Sequence, residues 1–331
     1  MKKKAMSLLL AAAMTATLFA GCGSDNGAAS NGSTTGNDAV KESTEAGTSD
    51  NAGSTDGYEL ALVIDVGTID DKSFNQGSWE GVQKYGDENG IAYKYYKSAE
   101  ATTDSFQETI ELAIEGGAKV IVCPGYLFEE PIYNMQTAHP DVKFILIDGE
   151  PHDADYNYET ADNTMAVLYQ EDQAGFLAGY AAVKDGYTKL GFMGGMALPA
   201  VIRYGYGYLA GADYAAKELG VDVDVTYTYT GSFDATPEAK SMATGWYQSG
   251  TEVIFACGGS VGNSVMAAAE ESENGKVIGV DVDQSSESDT VITSSMKMLS
   301  NSVYTAITEA YDGTFAGGKT TTFDASNDGV G

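Results

Sequence analysis

Positive charge is what this sequence has least of. In 331 residues, 18 Lys and Arg stand against 48 Asp and Glu, a formal net charge of −30. Beyond Lys2-Lys3-Lys4 the basic residues form no strong cluster. That excludes nucleic acid as a partner, because phosphate binding needs concentrated positive charge. Broad electrostatic attachment to anionic lipid is disfavoured for the same reason. Histidine occurs only at 139 and 152, too few for a histidine zinc cluster. Gly191-Phe192-Met193-Gly194-Gly195 is not followed by Gly-Lys-Ser/Thr, so no phosphate-binding P-loop is present. The first apolar run leads into Asp65-Val66-Gly67-Thr68-Ile69-Asp70 and not into a dinucleotide glycine triplet. Asp281-Val282-Asp283 opens like a calcium loop, but glycine is missing from its sixth place and Ile292 holds its twelfth. No cofactor and no metal are therefore expected.

Cysteine is also scarce, and its placement is informative. Only Cys22, Cys123 and Cys257 occur. Cys123 and Cys257 each end an apolar, strand-like segment, which reads as buried free thiols, with one bridge possible and not required for a core of this size. Cys22 stands apart. The chain opens with three lysines, runs apolar or small from Ala5 to Ala20, and reaches Gly21-Cys22. A basic start followed by a short apolar stretch is an export signal, too short to remain as a spanning helix. Leu18-Phe19-Ala20-Gly21-Cys22 resembles a bacterial lipobox, with lipid expected on the Cys22 thiol; the alternative is an ordinary cleavable signal. The next 35 residues contain 22 Gly, Ser, Thr or Asn, a tether with a root-mean-square reach of about 30 Å. The acidity lies mainly beyond it, with about −28 on residues 58–331.

From Tyr58 the texture becomes that of a folded protein, and the 43% hydrophobic content is enough for a real core. Apolar runs at 60–64, 91–96, 119–122 and 144–147 alternate with helical patterns at 75–89, 105–115 and 131–138. A second set follows, with strands at 189–193, 222–230, 252–256 and 277–280 and helices at 173–183, 206–219, 237–248 and 263–271. Residues 290–310 read as one more strand and helix. Near-continuous apolar strands alternating with helices predict α/β lobes, each a parallel-sheet sandwich, with a cleft between them. The expected division is an export signal at 1–21, an anchor and tether at 22–57, a first lobe at 58–165 with about 285–312, and a second at 166–284 with about 313–331.

Ligands of such folds bind beyond the carboxyl ends of the strands. Asp65, Pro124-Gly125, Asp148, Gly194-Gly195, Gly258-Gly259 and Asp281 all stand at strand ends. Each alone is turn chemistry; together they predict a pocket rimmed by acids and backbone amides. Gly258-Gly259-Ser260-Val261-Gly262 matches the nucleophile elbow of α/β-hydrolases. In those enzymes, however, the histidine follows the serine, and here both histidines precede it. An amide-presenting turn is the better reading.

Asp65-Val66-Gly67-Thr68-Ile69-Asp70-Asp71-Lys72-Ser73-Phe74-Asn75-Gln76 resembles the opening motif of the basic membrane protein family, the PnrA-like lipoproteins. Further similar blocks are Gly175 to Gly179, Lys189 to Gly195 with Pro199 to Arg203, Gly231-Ser232-Phe233-Asp234, Gly279 to Gln284, and Ser295-Met296-Lys297. The resemblance implies a two-lobed type I periplasmic-binding-protein fold and a non-enzymatic receptor that delivers purine nucleosides to the permease of an ABC importer. By motif position it implies that Phe74 and Phe233 sandwich the purine, that Asp65 and Asp148 face the base, and that Gly259, Asp281 and Lys297 hold the ribose. Where the family commonly has Arg-Phe, this chain has Arg203-Tyr204, whose hydroxyl either reaches the cleft or packs. The expected partners are a purine nucleoside and permease subunits, with membrane contact through the lipid alone. The expected state is a monomer on the outer face of the cell membrane, in an envelope of Gram-positive type. Competing readings are a receptor for a sugar or other small polar metabolite, an envelope nucleoside or ester hydrolase, and a sensory or adhesive lipoprotein.

Overall fold

The computed structural model describes residues 57–331; the export signal, Cys22 and the tether through residue 56 lie outside the described residues. The first lobe is built from β1 (Leu60–Ile64), α1 (Phe74–Asn89), β2 (Tyr93–Lys97), α2 (Thr103–Glu115), β3 (Val120–Pro124), α3 (Glu129–Ala138), β4 (Lys143–Ile147) and β5 (Thr164–Tyr169). The chain then crosses into α4 (Glu171–Lys184), β6 (Lys189–Gly194), α5 (Pro199–Leu219), β7 (Asp224–Tyr229), α6 (Pro237–Gln248), β8 (Val253–Cys257), α7 (Val261–Glu270), β9 (Lys276–Asp281) and β10 (Val291–Met296). It returns as α8 (Leu299–Asp312) and β11 (Lys319–Phe323).

Two parallel sheets result, in the orders β11-β5-β4-β3-β1-β2 and β10-β9-β8-β6-β7. The central strands β1, β3 and β8 are buried along their whole length. That is why they read as unbroken apolar runs: helices cover both faces of each sheet. Thr102 and Thr236 cap α2 and α6 by accepting from the backbone N–H groups of Ser105 and Ala239. Cys123 and Cys257 are free and buried, one in each sheet.

The lobe division differs from the expected one in three places. All of β5 belongs to the first sheet, where it pairs with β4. β10 stays in the second sheet beside β9, and β11 joins the first sheet beside β5. Only α8 of the segment 285–312 packs on the first lobe, against α1, where Gly77 and Gly81 let Leu299 and Val303 approach closely. The final residues then pair with the end of β10: the Met296 N–H donates to Gly331 and the Met298 N–H to Gly329. Three strands of chain thus pass between the lobes, near Gln170, Lys297 and Asp324. α5 also begins at Pro199, earlier than the expected Tyr206, because proline suits the first turn of a helix.

α4 and α5 pack backbone to backbone. Cβ atoms added at Gly175 or Gly179 would collide with the carbonyl oxygens of Tyr204 or Tyr208, and at Gly207 or Gly211 with those of Asp172 or Phe176. Gly179→Val is therefore expected to destabilise the fold by about 1–3 kcal/mol, as overpacking does, and to lower the urea midpoint. Leu177→Ala, at a residue 51% exposed on the same helix, should leave that midpoint nearly unchanged; equal effects would contradict the seam.

Candidate functional site in the interlobe cleft

The carboxyl ends of both sheets face a cavity of about 290 Å³, and its wall contains all seven residues singled out by sequence: Asp65, Phe74, Asp148, Phe233, Gly259, Asp281 and Lys297. Asp65 follows β1, and its Oδ1 accepts the Gly67 N–H at 2.8 Å. Burial raises the Asp65 pKa, against lowering by the Gly67 amide and the Asn75 side chain. Phe74 opens α1 and is half-buried. Phe233 lies in the loop after β7, half-buried, with its ring edge packed on Gly195 and its backbone beside Gly259. The aromatic residues therefore come from different lobes.

The two strand-end aspartates share an uncommon backbone. Asp148 after β4 has φ +64° and Asp281 at the end of β9 has φ +66°, both left-handed. Such residues cost energy unless the surroundings hold them, and they gather at functional sites. Asp281 Oδ2 accepts from Ser73 Oγ of the first lobe at 2.5 Å. The Tyr204 hydroxyl is buried near the same carboxylate without completing a hydrogen bond. Asp148 Oδ2 accepts from Lys297 Nζ, while its Oδ1 is buried without a partner.

Lys297 sits on the second crossover with 2% of its side chain exposed. Its Nζ lies 3.1 Å from Glu171 Oε1 and 5.0, 5.2 and 5.5 Å from the ring centroids of Phe74, Tyr169 and Tyr204. Burial works to lower its pKa, but Asp148, Glu171 and Asp281 together push it above the ordinary lysine value. The ammonium is thus fixed as a cation. Burial raises Asp148 to about 6, with Lys297 working against the rise and Glu171 adding to it. Asp281 is raised by burial in the same way. Asp71 is also raised by burial, to about 6, although it accepts the backbone N–H groups of Ser73, Asn75 and Gln76 at the start of α1.

Sequence reasoning missed Glu171, Ser73 and Asp71, and left Tyr204 undecided. Glu171 is entirely buried, but its strongest signal, a strand ending at Tyr169, went unseen. Tyr204 both packs and lines the cavity. The hydrolase alternative finds no imidazole here: His139 pairs with Glu111 and His152 lies against Glu129, and neither lines the cavity around Ser260. Among the described residues no His/Cys/Asp/Glu cluster could hold a metal ion. Also among the described residues, no helix is long and apolar enough to cross a membrane.

Two parallel α/β lobes with a ligand-sized cleft at their strand ends are the fold of the periplasmic-type binding proteins. The ABC transporter solute-binding protein from Aeropyrum pernix K1 superposes with a TM-score of 0.73 at 27% identity, over 83% of this chain and 76% of that one. The chain belongs to the family of PnrA-like ABC transporter substrate-binding proteins, whose pattern matches residues 58–331. It is 28% identical over 352 residues to the ABC transporter nucleoside-binding protein BmpA of Lactococcus lactis subsp. cremoris, covering 100% of this chain and 91% of that protein. It is 34% identical over 270 residues to basic membrane protein A of Borreliella afzelii, covering 79% and 78%. The protein is therefore an ABC transporter substrate-binding protein, with a ligand and a permease as the partners that class implies.

The raised carboxyls give the fold a pH dependence of definite sign. With native values of about 6 against an ordinary 3.8, Asp71 and Asp148 hold protons that the unfolded chain has lost. Their stabilising contribution is complete below the ordinary value and lost as pH rises through about 6. Acidifying from about pH 7 to about pH 5.5 should raise the stability measured by urea unfolding by about 1 kcal/mol per group. Asp148→Asn should flatten that rise. A midpoint that falls over this interval would contradict the assignment.

Proposed function

We propose that the cleft binds a purine nucleoside, and that the protein, anchored through lipid on Cys22, hands it unchanged to an ABC permease. The observation that carries this reading is the pair of aromatic residues: Phe74 and Phe233 come from different lobes and line one cavity. Two plates of this kind accept any flat base, and an edge carboxylate such as Asp65 selects among bases by accepting a ring N–H. Asp281, Gly259 and Lys297 supply an acceptor, a turn with φ +55° and a cation for the ribose. Asp148 works with Lys297, since one of its oxygens is already engaged there.

Charge narrows the ligand further. Among the described residues, five carboxylates line the cavity, those of Asp65, Asp71, Asp148, Asp234 and Asp281, against the single cation Lys297. A phosphorylated nucleotide would enter against that field, whereas an uncharged nucleoside would not. Closure follows if the ligand contacts both lobes, because binding then favours the conformation in which both contact sets are made.

Calorimetric titration with adenosine, guanosine, inosine, uridine and cytidine should show saturable binding of the purine nucleosides and much weaker binding of their 5′-monophosphates. Phe74→Ala and Phe233→Ala should each cost about 1–3 kcal/mol of binding, the size of a base-stacking contact. Chromatography of the recovered ligand after long incubation should find it intact. Absence of binding to every nucleoside, or turnover of any, would defeat the proposal.

A further inference from the structure

A line of buried charge runs through the first and second crossovers, and one member of it neither lines the cavity nor reaches solvent. Glu171, the first residue of α4, has a side chain with 0% exposure. Arg203 Nε donates to its Oε2 at 2.5 Å. Its Oε1 lies 3.1 Å from Lys297 Nζ, an ion pair whose angle falls short of a hydrogen bond. Lys297 in turn donates to Asp148 of the first lobe. The order Arg203, Glu171, Lys297, Asp148 alternates in sign and passes from the second lobe to the first.

A buried carboxylate is costly unless its partners are in place, and each partner here does different work. Arg203 takes one oxygen and offsets the charge, so Glu171 does not cancel the cation beside it. The other oxygen draws the ammonium from a side that Asp148 does not occupy. With Asp148 alone, Lys297 would be tied at one point and free to swing about it. With both, and with the rings of Phe74, Tyr169 and Tyr204 about 5 Å away, the ammonium has one place to sit. It commits one N–H to Asp148 and keeps donor capacity for a ligand oxygen in the cavity that Lys297 lines.

We propose that Glu171, backed by Arg203, is the positioning residue for Lys297, and that it thereby sets a preference for ligands carrying a sugar oxygen over the corresponding free bases. This rests on the nucleoside reading given above and adds to it the part of the ligand that the buried charge line discriminates. Glu171 touches no ligand itself. Its effect on binding passes through the ammonium.

The full-length chain and its Glu171→Gln, Glu171→Asp, Arg203→Met, Lys297→Met and Glu171→Gln/Lys297→Met variants are titrated with guanosine and inosine and with guanine and hypoxanthine. Glu171→Gln should weaken nucleoside binding by about 10- to 100-fold, the range for the one charged hydrogen bond to the ligand that a displaced Lys297 would lose, and leave base binding nearly unchanged. The nucleoside-to-base affinity ratio therefore collapses. Glu171→Asp should restore part of it, and Arg203→Met, at a half-buried position, should lower it in the same sense. In the Lys297→Met background, adding Glu171→Gln should change the ratio no further. A ratio that stays at the wild-type value in Glu171→Gln or in Arg203→Met, or losses that add fully in the double variant, would overturn the role given to Glu171. Wild-type protein that binds no nucleoside would overturn the nucleoside reading itself, which separates the two failures.

Discussion

The structure turns on one buried ammonium. Lys297 lies on a crossover between lobes, almost fully buried against the cavity it lines, with Asp148, Glu171 and Asp281 as the charges that raise its affinity for the proton. An isolated charge so deep would be neutralised, and so would an isolated carboxylate. Each is tolerated because the others are present. The surrounding backbone conforms to the same requirement: Asp148 and Asp281 both adopt left-handed conformations at their strand ends. The cluster also joins what the sequence keeps apart, since its members lie at residues 148, 171, 281 and 297.

The rest of the fold brings those strand ends together. Parallel sheets put every strand's carboxyl end on one side, and two such sheets facing each other bring the loops that follow their strands together as the cavity wall. The lining is chemically mixed: aromatic side chains and glycine turns stand beside the charges of Asp148, Asp281 and Lys297, and in buried surroundings a hydrogen bond is worth more than in water. The nucleoside proposed for the cleft, a flat uncharged base carrying a hydroxylated sugar, suits such a lining.

Much of this was legible in the chain, for reasons that can be named. Leu60 to Ile64 and Val253 to Cys257 are buried on both faces, so their apolar runs are unbroken, and five of the seven cavity residues, Asp65, Phe74, Phe233, Asp281 and Lys297, lie in motifs whose family resemblance holds across residues 58–331. β11, by contrast, is Lys-Thr-Thr-Thr-Phe on a sheet edge, partly exposed throughout, and an edge strand carries no apolar run. β5 is well buried, but it lies behind a long irregular segment, and a boundary expected at 165 cut through it. The lobe assignment of β10 and β11 depends on which strand each lies beside, a long-range fact that periodicity does not hold. Glu171 was missed for a related reason: its burial and both its partners are tertiary.

The glycine seam between α4 and α5 has a mechanical side. Where helices meet backbone to backbone, the close approach leaves few side chains along that seam to shear or re-pack, so the pair behaves as one rigid plate. One corner of that plate is Glu171, on the first crossover; another is the stretch from Pro199 to Tyr204, part of the cavity wall. A rotation of the second lobe cannot move one corner and leave the other behind. These corners are the adjoining N-terminal ends of the two helices, joined by the Arg203–Glu171 ion pair, so the buried charge at the crossover and this side of the cavity are carried on one rigid unit.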